Sequence, residues 1–425
     1  MTAQPHAPSY YAATANPAPL RPALDGNISA DVCVIGGGYT GCHVALNLAE
    51  QGYRVVLLEA NRIGWGASGR NGGQICTGYA RGQGSLEAAL GKDDAARLFE
   101  LAEGAKAILK ARIERHRIAC DLTWGYLYGA LKPRQMAGLR HELEELEALG
   151  YGQGELLDRA ALAQHIDSGL YIGGLLDRGA GHLHPLNYAL GLAEAAAAAG
   201  ALLHEDARVT RVVPGAKVRV ETAGGSVTAD FAVLACNAYL EGLVPRLGDS
   251  IMPVATYMTA TEPLGENRAK ALLPTNHAIG DANFVLNYFR RSADHRLLFG
   301  GGVSYTARMP ASLPDDMRRT MLTVFPQLAD VKQDFTWGGN VAITQDRAPH
   351  LGRHAPNVYF AQGYSGQGVA ITAIAGKVIA EAIRGQAERF DLFAKIPHRP
   401  FPGGRYLRAP TLALAMTWFR LRDRL

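Results

Sequence analysis

One feature narrows the fold of this chain more than any other: a glycine turn between two hydrophobic runs. "DVCVIG", Asp31 to Gly36, is a short apolar run that opens directly into "GGGYTG". "CHVALNLAEQG" then carries apolar residues at helical spacing up to Gly52, and "YRVVLLEA" forms a second buried run ending at Glu59. Strand, helix and strand in that order make a βαβ unit. Gly36, Gly38 and Gly41 meet the G-x-G-x-x-G template where the strand gives way to the helix. Glycines there let the chain turn sharply, let backbone approach a pyrophosphate and let helix and strand pack closely, with the helix N-terminus facing the phosphates. Glu59 lies eighteen residues beyond Gly41, at the end of the next strand, where a carboxylate accepts hydrogen bonds from an adenosine ribose. It would repel the extra phosphate of NADP, so FAD and NAD are the candidates.

A second glycine cluster comes next. "GWGASGRNGGQ", Gly64 to Gln74, has five glycines in eleven residues, together with a Trp, an Arg and an Asn that no flexible linker needs. Beyond it the pattern predicts a long helix from about Leu86 to Arg117, a strand in "DLTWGYLYGAL" and a charged helix in "PRQMAGLRHELEELEALG". From Ala207, "ARVTRVVPG", "KVRVETAGG" and "SVTADFAVLACNAY" read as a β-meander returning to the central sheet. Strand-like runs between Pro253 and Val303 point to a second, mostly β domain. "NVYFAQGYSGQGVAITAIAGKVIAEAIRG" closes the chain with strand, glycine loop and helix once more.

These patterns predict an α/β fold: a Rossmann-like dinucleotide-binding domain with a second, mostly antiparallel β domain for substrate. The expected partition is discontinuous. Residues 26–120, 155–240 and 335–395 form the cofactor domain, 121–154 and 241–334 the substrate domain, and 396–425 a C-terminal tail. The net charge of +4 comes from scattered basic residues, which excludes the footprint of a nucleic-acid binder. The five cysteines, Cys33, Cys42, Cys76, Cys120 and Cys236, never form a CxxC and lie mostly in apolar runs, so reduced thiols are expected, with no disulfide and no metal site. The N-terminus lacks a basic start followed by an apolar region, and no apolar segment approaches the roughly 20 residues that cross a bilayer. A cytoplasmic protein is expected.

The stretch after the Glu59 strand separates FAD from NAD, because a nicotinamide enzyme would continue with further parallel βα units. Through "GGGYTG", "LLEANRIGWGASGRNGGQ", "VLACNAY" and "YFAQGYSGQGVAITAIAGKVIAE", the chain resembles the D-amino-acid-oxidase-like family of FAD-dependent amine oxidoreductases, which includes sarcosine and glycine oxidases. The resemblance implies a glutathione-reductase-like FAD domain, with Glu59 and Ala60 at the ribose and Val209, Ala235 and Asn237 at the adenine end. It also implies that the Gly64–Gln74 loop runs along the flavin, with Ser68 and Arg70 toward the pyrophosphate and Asn71, Gly72, Gly73 and Gln74 nearer the isoalloxazine. The closing loop, with Gly363, Ser365, Gly366, Gln367 and Gly368, would bring a second helix N-terminus beside the cofactor. There, free N–H groups stabilise the negative charge that reduction places at the N1 and C2=O edge of the ring. Some relatives attach their flavin through Cys or His. This chain has no Cys after Cys236 and no His in the loop, so noncovalent FAD is expected.

"SYYAATAN", "GAGHLHPLN", "RLLFGGGVSYTAR" and "FPGGRYLR" resemble a branch of the family that acts on γ-glutamylputrescine. The implied reaction oxidises its primary amine to an aldehyde, with O2 as acceptor and release of ammonia and hydrogen peroxide. The amine must react neutral, and deprotonating an amine of pKa near 10 at pH 7.4 costs about 4 kcal/mol, so the site should be apolar and aromatic or hold a proton acceptor. Tyr257, Tyr288 and Trp337 are the candidate walls, and His182 and His184 the candidate proton acceptors. Arg290, Arg291 and Arg308 are candidates for the far α-carboxylate of the substrate. No lysine is assigned to oxygen activation; Lys377 lies in the closing helix. Three alternatives stay open: an enzyme for a secondary or cyclic amino acid such as sarcosine or pipecolate, a quinone-linked dehydrogenase whose tail "PTLALAMTWFRLRDRL" lies on a membrane surface, and a flavoprotein sensing module.

Overall fold

In the computed structural model, which describes residues 4–240, 242–283, 286–304 and 310–404, the run at Asp31 lies in β1 (Gly26–Ile35), inside an eight-stranded sheet. β2 (Val55–Leu58) and β7 (Leu202–His204) continue that sheet in parallel on one side. On the other side β10 (Gly225–Leu234) and β17 (Val358–Gln362) are parallel as well, and β16 (His350–Ala355) ends the order antiparallel. All four residues of β2 are buried, as befits a parallel strand covered on both faces. β8 (Val209–Val213) and β9 (Val218–Thr222) form the meander with the first half of β10. Helices Tyr39–Ala49, Pro185–Ala198 and Gly368–Ile383 share one apolar core with Val32, Val34, Val55 and Leu57 of the sheet.

The second sheet has nine strands. Its order is β15 (Gln333–Ile343), β11 (Met252–Thr261), β14 (Leu297–Ser304), β13 (Tyr288–Arg291), β12 (Ala278–Asp281), β4 (Thr123–Ala130), β6 (Gly173–His182) and β3 (Gln74–Ile75), with β5 (Gly154–Asp158) also paired to β6. Only the β12–β4 pairing is parallel among these described strands. Side chains alternate across it. Tyr257, Phe289 and Phe299 pack outward with the helix Leu313–Val324, while Met258, Leu298 and Trp337, with Tyr288 beside them, pack inward on Tyr10 and Tyr11.

Three details differ from the sequence expectation. The helix predicted over Leu86–Arg117 is two helices, Gln83–Leu90 and Lys92–His116, broken at Gly91. β3, β5 and β6 fall in spans expected in the cofactor domain, yet they belong to the second sheet because β6 pairs antiparallel with β4 over most of its length and with β3 and β5. β15 crosses the expected boundary in the same way, as the edge partner of β11. The N-terminal residues also have a defined place: the short helix Tyr10–Ala13 sits at the junction of the two sheets, with Tyr11 fully buried.

Candidate active site

The first glycine turn is set by backbone contacts. Gly36 has φ +108°, and a Cβ there would lie 2.8 Å from the Ala235 carbonyl oxygen, so only glycine lets β1 and β10 end this close together. A Cβ at Gly41 would lie 1.9 Å from the Gly36 oxygen, which ties the helix to the turn. The helix Tyr39–Ala49 begins at Gly38, and the Tyr39 N–H donates to Ser68 Oγ at 3.0 Å. Glu59 accepts from the backbone N–H groups of Gly37 at 2.7 Å and Asn61 at 2.8 Å. Burial pushes its carboxyl pKa up, and those two bonds pull against that rise.

A cavity of about 440 Å³ runs from this turn to the closing loop. Its walls include Gly36, Gly38, Glu59, Ala60, Ser68, Asn71, Val209, Ala235, Asn237, Ser365, Gly366 and Gly368, all named from the sequence. Gly41, Arg70, Gly72, Gly73, Gln74, Gly363 and Gln367 are not among its lining residues, for identifiable reasons. Gly41 serves the turn. Arg70 Nε donates to the Trp65 carbonyl at 2.7 Å, its guanidinium lies 4.2 Å from the Trp65 ring, and Trp337 Nε1 donates to the Arg70 carbonyl at 3.0 Å, so Arg70 pins the loop to β15. Gly363 N–H donates to Asn237 Oδ1 at 2.9 Å, joining the closing loop to the end of β10. Gln367 caps the helix Gly368–Ile383, and its Oε1 is buried without a partner.

Gly72 to Gln74 lie one step deeper. Asn71 Nδ2 donates to the carbonyls of Ala67 and Ser68, and its Oδ1 accepts from the Gly73 N–H at 2.7 Å, which folds the loop back on itself. Gly73 has φ +86°, and a Cβ there would lie 2.0 Å from the Leu183 carbonyl oxygen. Gln74 enters β3 opposite His182, with its Nε2 buried and unpartnered.

The candidate substrate residues divide by orientation. Trp337 and Tyr288 face the loop: an added Cβ on Gly72 would lie 2.7 Å from the Tyr288 ring. Tyr257 is on the opposite face of the sheet, packed with Phe289 and Phe299, so it is not a wall of this site. Strand alternation reverses that expectation. His184 also departs from it. Its Nδ1 accepts from the Asn187 N–H at 3.2 Å, capping the helix Pro185–Ala198, and its Nε2 bonds Thr14 Oγ1 at 3.1 Å, so neither nitrogen is free to take a substrate proton. His182 is different. Its Nε2 donates to the Asn276 carbonyl at 2.8 Å, which leaves a lone pair on a buried, unpartnered Nδ1. Burial, then the charge of Arg290, lowers both histidine pKa values to about 3. Arg290 is buried on the same face as Tyr288; Arg291 faces the other way, donating to the Pro274 carbonyl, and Arg308 lies outside the described residues.

The cavity fits a dinucleotide. It joins two glycine-lined helix starts through one space, at a cradle that a Cβ on Gly36 would close against the Ala235 carbonyl oxygen, with a ribose-type carboxylate at one end. Some of its walls were not named from the sequence: Ala342 at the end of β15, and, inside motifs that were quoted, Tyr239 and the buried Thr40–Tyr364 hydroxyl pair at 2.8 Å. Tyr11, stacked edge-on against both His184 and Trp337, was missed as well. All five cysteines are free thiols. Among the described residues, no helix is long and apolar enough to cross a membrane.

Comparison with known proteins agrees with this geometry. The family model described as FAD dependent oxidoreductase matches residues 31–382. Gamma-glutamylputrescine oxidoreductase of Escherichia coli (strain K12) is 46% identical over 425 residues, covering 99% of this chain and 99% of that protein. A probable oxidoreductase, OrdL, of Haemophilus influenzae is 40% identical over 428 residues, covering 99% and 98%. Among solved structures, glycine oxidase from Geobacillus kaustophilus has a TM-score of 0.72 at 23% identity, covering 84% of this chain and 95% of that one, a likeness of fold.

Proposed function

This chain belongs to the family of FAD-dependent oxidoreductases, and on that premise we propose that it oxidises the primary amine of γ-glutamylputrescine to an aldehyde, with release of ammonia and hydrogen peroxide. The observation that carries the substrate is the 46% identity, end to end, with a protein named for it. Bound FAD supplies the two-electron acceptor. The chain's own residues supply the setting. Gly36, Gly38 and Ser68 would hold the pyrophosphate and Glu59 the ribose, while the start of the helix Gly368–Ile383 would lie beside the ring.

The inward face of the second sheet would form the substrate side. Trp337 and Tyr288 exclude water from the amine, which favours its neutral form. His182, neutral and with Nδ1 unpartnered, is the polar contact in this reading, its lone pair accepting a hydrogen bond from the amine N–H rather than its proton; His184 orients the segment by capping its helix. A cytoplasmic location and O2 as acceptor belong to the same proposal. The test is an aerobic assay with purified holoenzyme. γ-Glutamylputrescine should yield ammonia and peroxide in equal amounts, and sarcosine and pipecolate little of either. Preference for either amino acid sinks the substrate assignment, and ammonia without peroxide sinks the assignment of O2.

A further inference from the structure

Arg290 is a buried cation with no anion beside it. It is 3% exposed, and four of its N–H donors go to neutral acceptors. Nε donates to the Gly72 carbonyl at 2.9 Å, and Nη2 donates to the Leu183 carbonyl at 3.0 Å and to the Tyr11 hydroxyl at 3.3 Å. Nη1 donates to the Arg291 carbonyl at 3.3 Å. Among the described residues no carboxylate pairs with it. A buried guanidinium is ordinarily matched by an acid, because taking a lone charge out of water is costly. Here the nearest structure is the Gly72–Gly73 backbone: a Cβ on Gly73 would lie 3.3 Å from Arg290 Nη2. On the other side of that turn, Asn71 lines the dinucleotide cavity.

We propose that Arg290 is the fixed positive charge behind the flavin ring, its counter-ion being the negative charge the ring acquires on reduction, and that Tyr11 of the N-terminal segment holds its guanidinium in place. A charge fixed by neutral dipoles keeps its field for whatever enters the adjacent space. Tyr11 lies outside the matched family region of residues 31–382, so the N-terminal segment adds a residue to the site rather than only covering it. Arg290 acts through the loop and is a positioning residue. The same charge bears on His182 and His184, where it favours the neutral imidazoles.

Sulfite tests this without any amine, so the result stands apart from the substrate assignment. Its sulfur lone pair forms a bond to N5 of the oxidised ring, and the displaced electron pair leaves a negative charge at the N1 and C2=O edge. The dissociation constant is read from loss of the flavin absorbance in holoenzyme, alongside the two-electron midpoint potential. R290M should weaken sulfite binding tenfold or more and make the potential more negative, about 30 mV for each tenfold. R290K, which keeps the charge, should stay within threefold of the parent, whereas Y11F, which keeps the charge but removes the hydroxyl that holds it, should weaken sulfite binding by more than threefold and by less than R290M; Y11F within threefold overturns the role of Tyr11. R290M within threefold overturns the proposal, since a merely structural arginine would alter flavin retention but not the affinity of the retained flavin. If R290M holds no flavin, R290K decides: a tenfold loss with the charge kept also overturns it.

Discussion

Replacing Gly36 by Ala tests whether the first glycine turn is shaped by close approach or only by conformation. Gly36 has φ +108°, and its added Cβ would meet the Ala235 carbonyl oxygen at 2.8 Å and the carbonyl carbon at 3.0 Å. Gly52, at φ +83° after the helix Tyr39–Ala49, has open space around the same atom. Both substitutions carry the cost of placing an L side chain at positive φ, roughly 1–2 kcal/mol. Only G36A adds a collision with backbone, which forces β1 and β10 apart where the cavity wall is made; overpacking of this kind costs about 1–3 kcal/mol. At 1.4 kcal/mol per tenfold, that extra amount is about a five- to hundredfold loss of FAD affinity, if it is felt in the bound state. Apoprotein of each variant would be titrated with FAD by flavin fluorescence, with urea unfolding measured in parallel. G52A should lose about 1–2 kcal/mol of stability and keep its FAD affinity. G36A binding FAD as tightly as G52A would refute the close-approach account.

The same geometry carries further expectations. Acid precipitation should release yellow flavin into the supernatant; flavin in the pellet would show a covalent link that no residue here was assigned to make. Y257F should leave turnover within about twofold, because the Tyr257 hydroxyl is buried and unpartnered on the outward face; a tenfold loss would return Tyr257 to the site. H184A should cost about 1 kcal/mol of stability in urea unfolding through loss of the helix cap, and an altered pH–rate profile would contradict a capping role. His182 is held neutral in the fold down to about pH 3, whereas the unfolded chain takes up the proton near 6.5. Its contribution to stability is therefore complete above 6.5 and is lost as pH falls from there toward 3, by at most about 1.4 kcal/mol per pH unit. H182Q should flatten the urea-unfolding stability profile in that window, and an unchanged slope would place His182 in a more solvated setting.

The cofactor half of this molecule was legible because its chemistry depends on backbone. A glycine that must let two strands meet, as Gly36 does beside Ala235, leaves a one-letter trace with fixed spacing from Glu59. The substrate half was less legible because it depends on which face of a strand a side chain takes. Tyr257 and Tyr288 look equivalent in the sequence, yet the pairing of β11 and β13 with β14 puts them on opposite faces. His182 and His184 are two residues apart, but β6 ends between them, so one keeps a free nitrogen and the other caps a helix. Tyr11 and Arg290 are separated by 279 residues and meet only in the folded chain. No local pattern announces such a pair. In the second sheet β4, β11, β13 and β14 were read as strands, but β3, β5, β6, β12 and β15 were not, which is why β3, β5, β6 and β15 crossed the expected boundaries.

In the proposed reaction the amine of γ-glutamylputrescine reduces the bound flavin. That step is tested most directly by mixing the oxidised holoenzyme anaerobically with that compound, putrescine, sarcosine and pipecolate in turn, and following the flavin absorbance. Rapid, complete bleaching is expected with γ-glutamylputrescine, slower bleaching with putrescine, which lacks the γ-glutamyl end, and little with the two amino acids. Flavin that stays oxidised with γ-glutamylputrescine, or bleaches faster with pipecolate or sarcosine, would contradict that reaction.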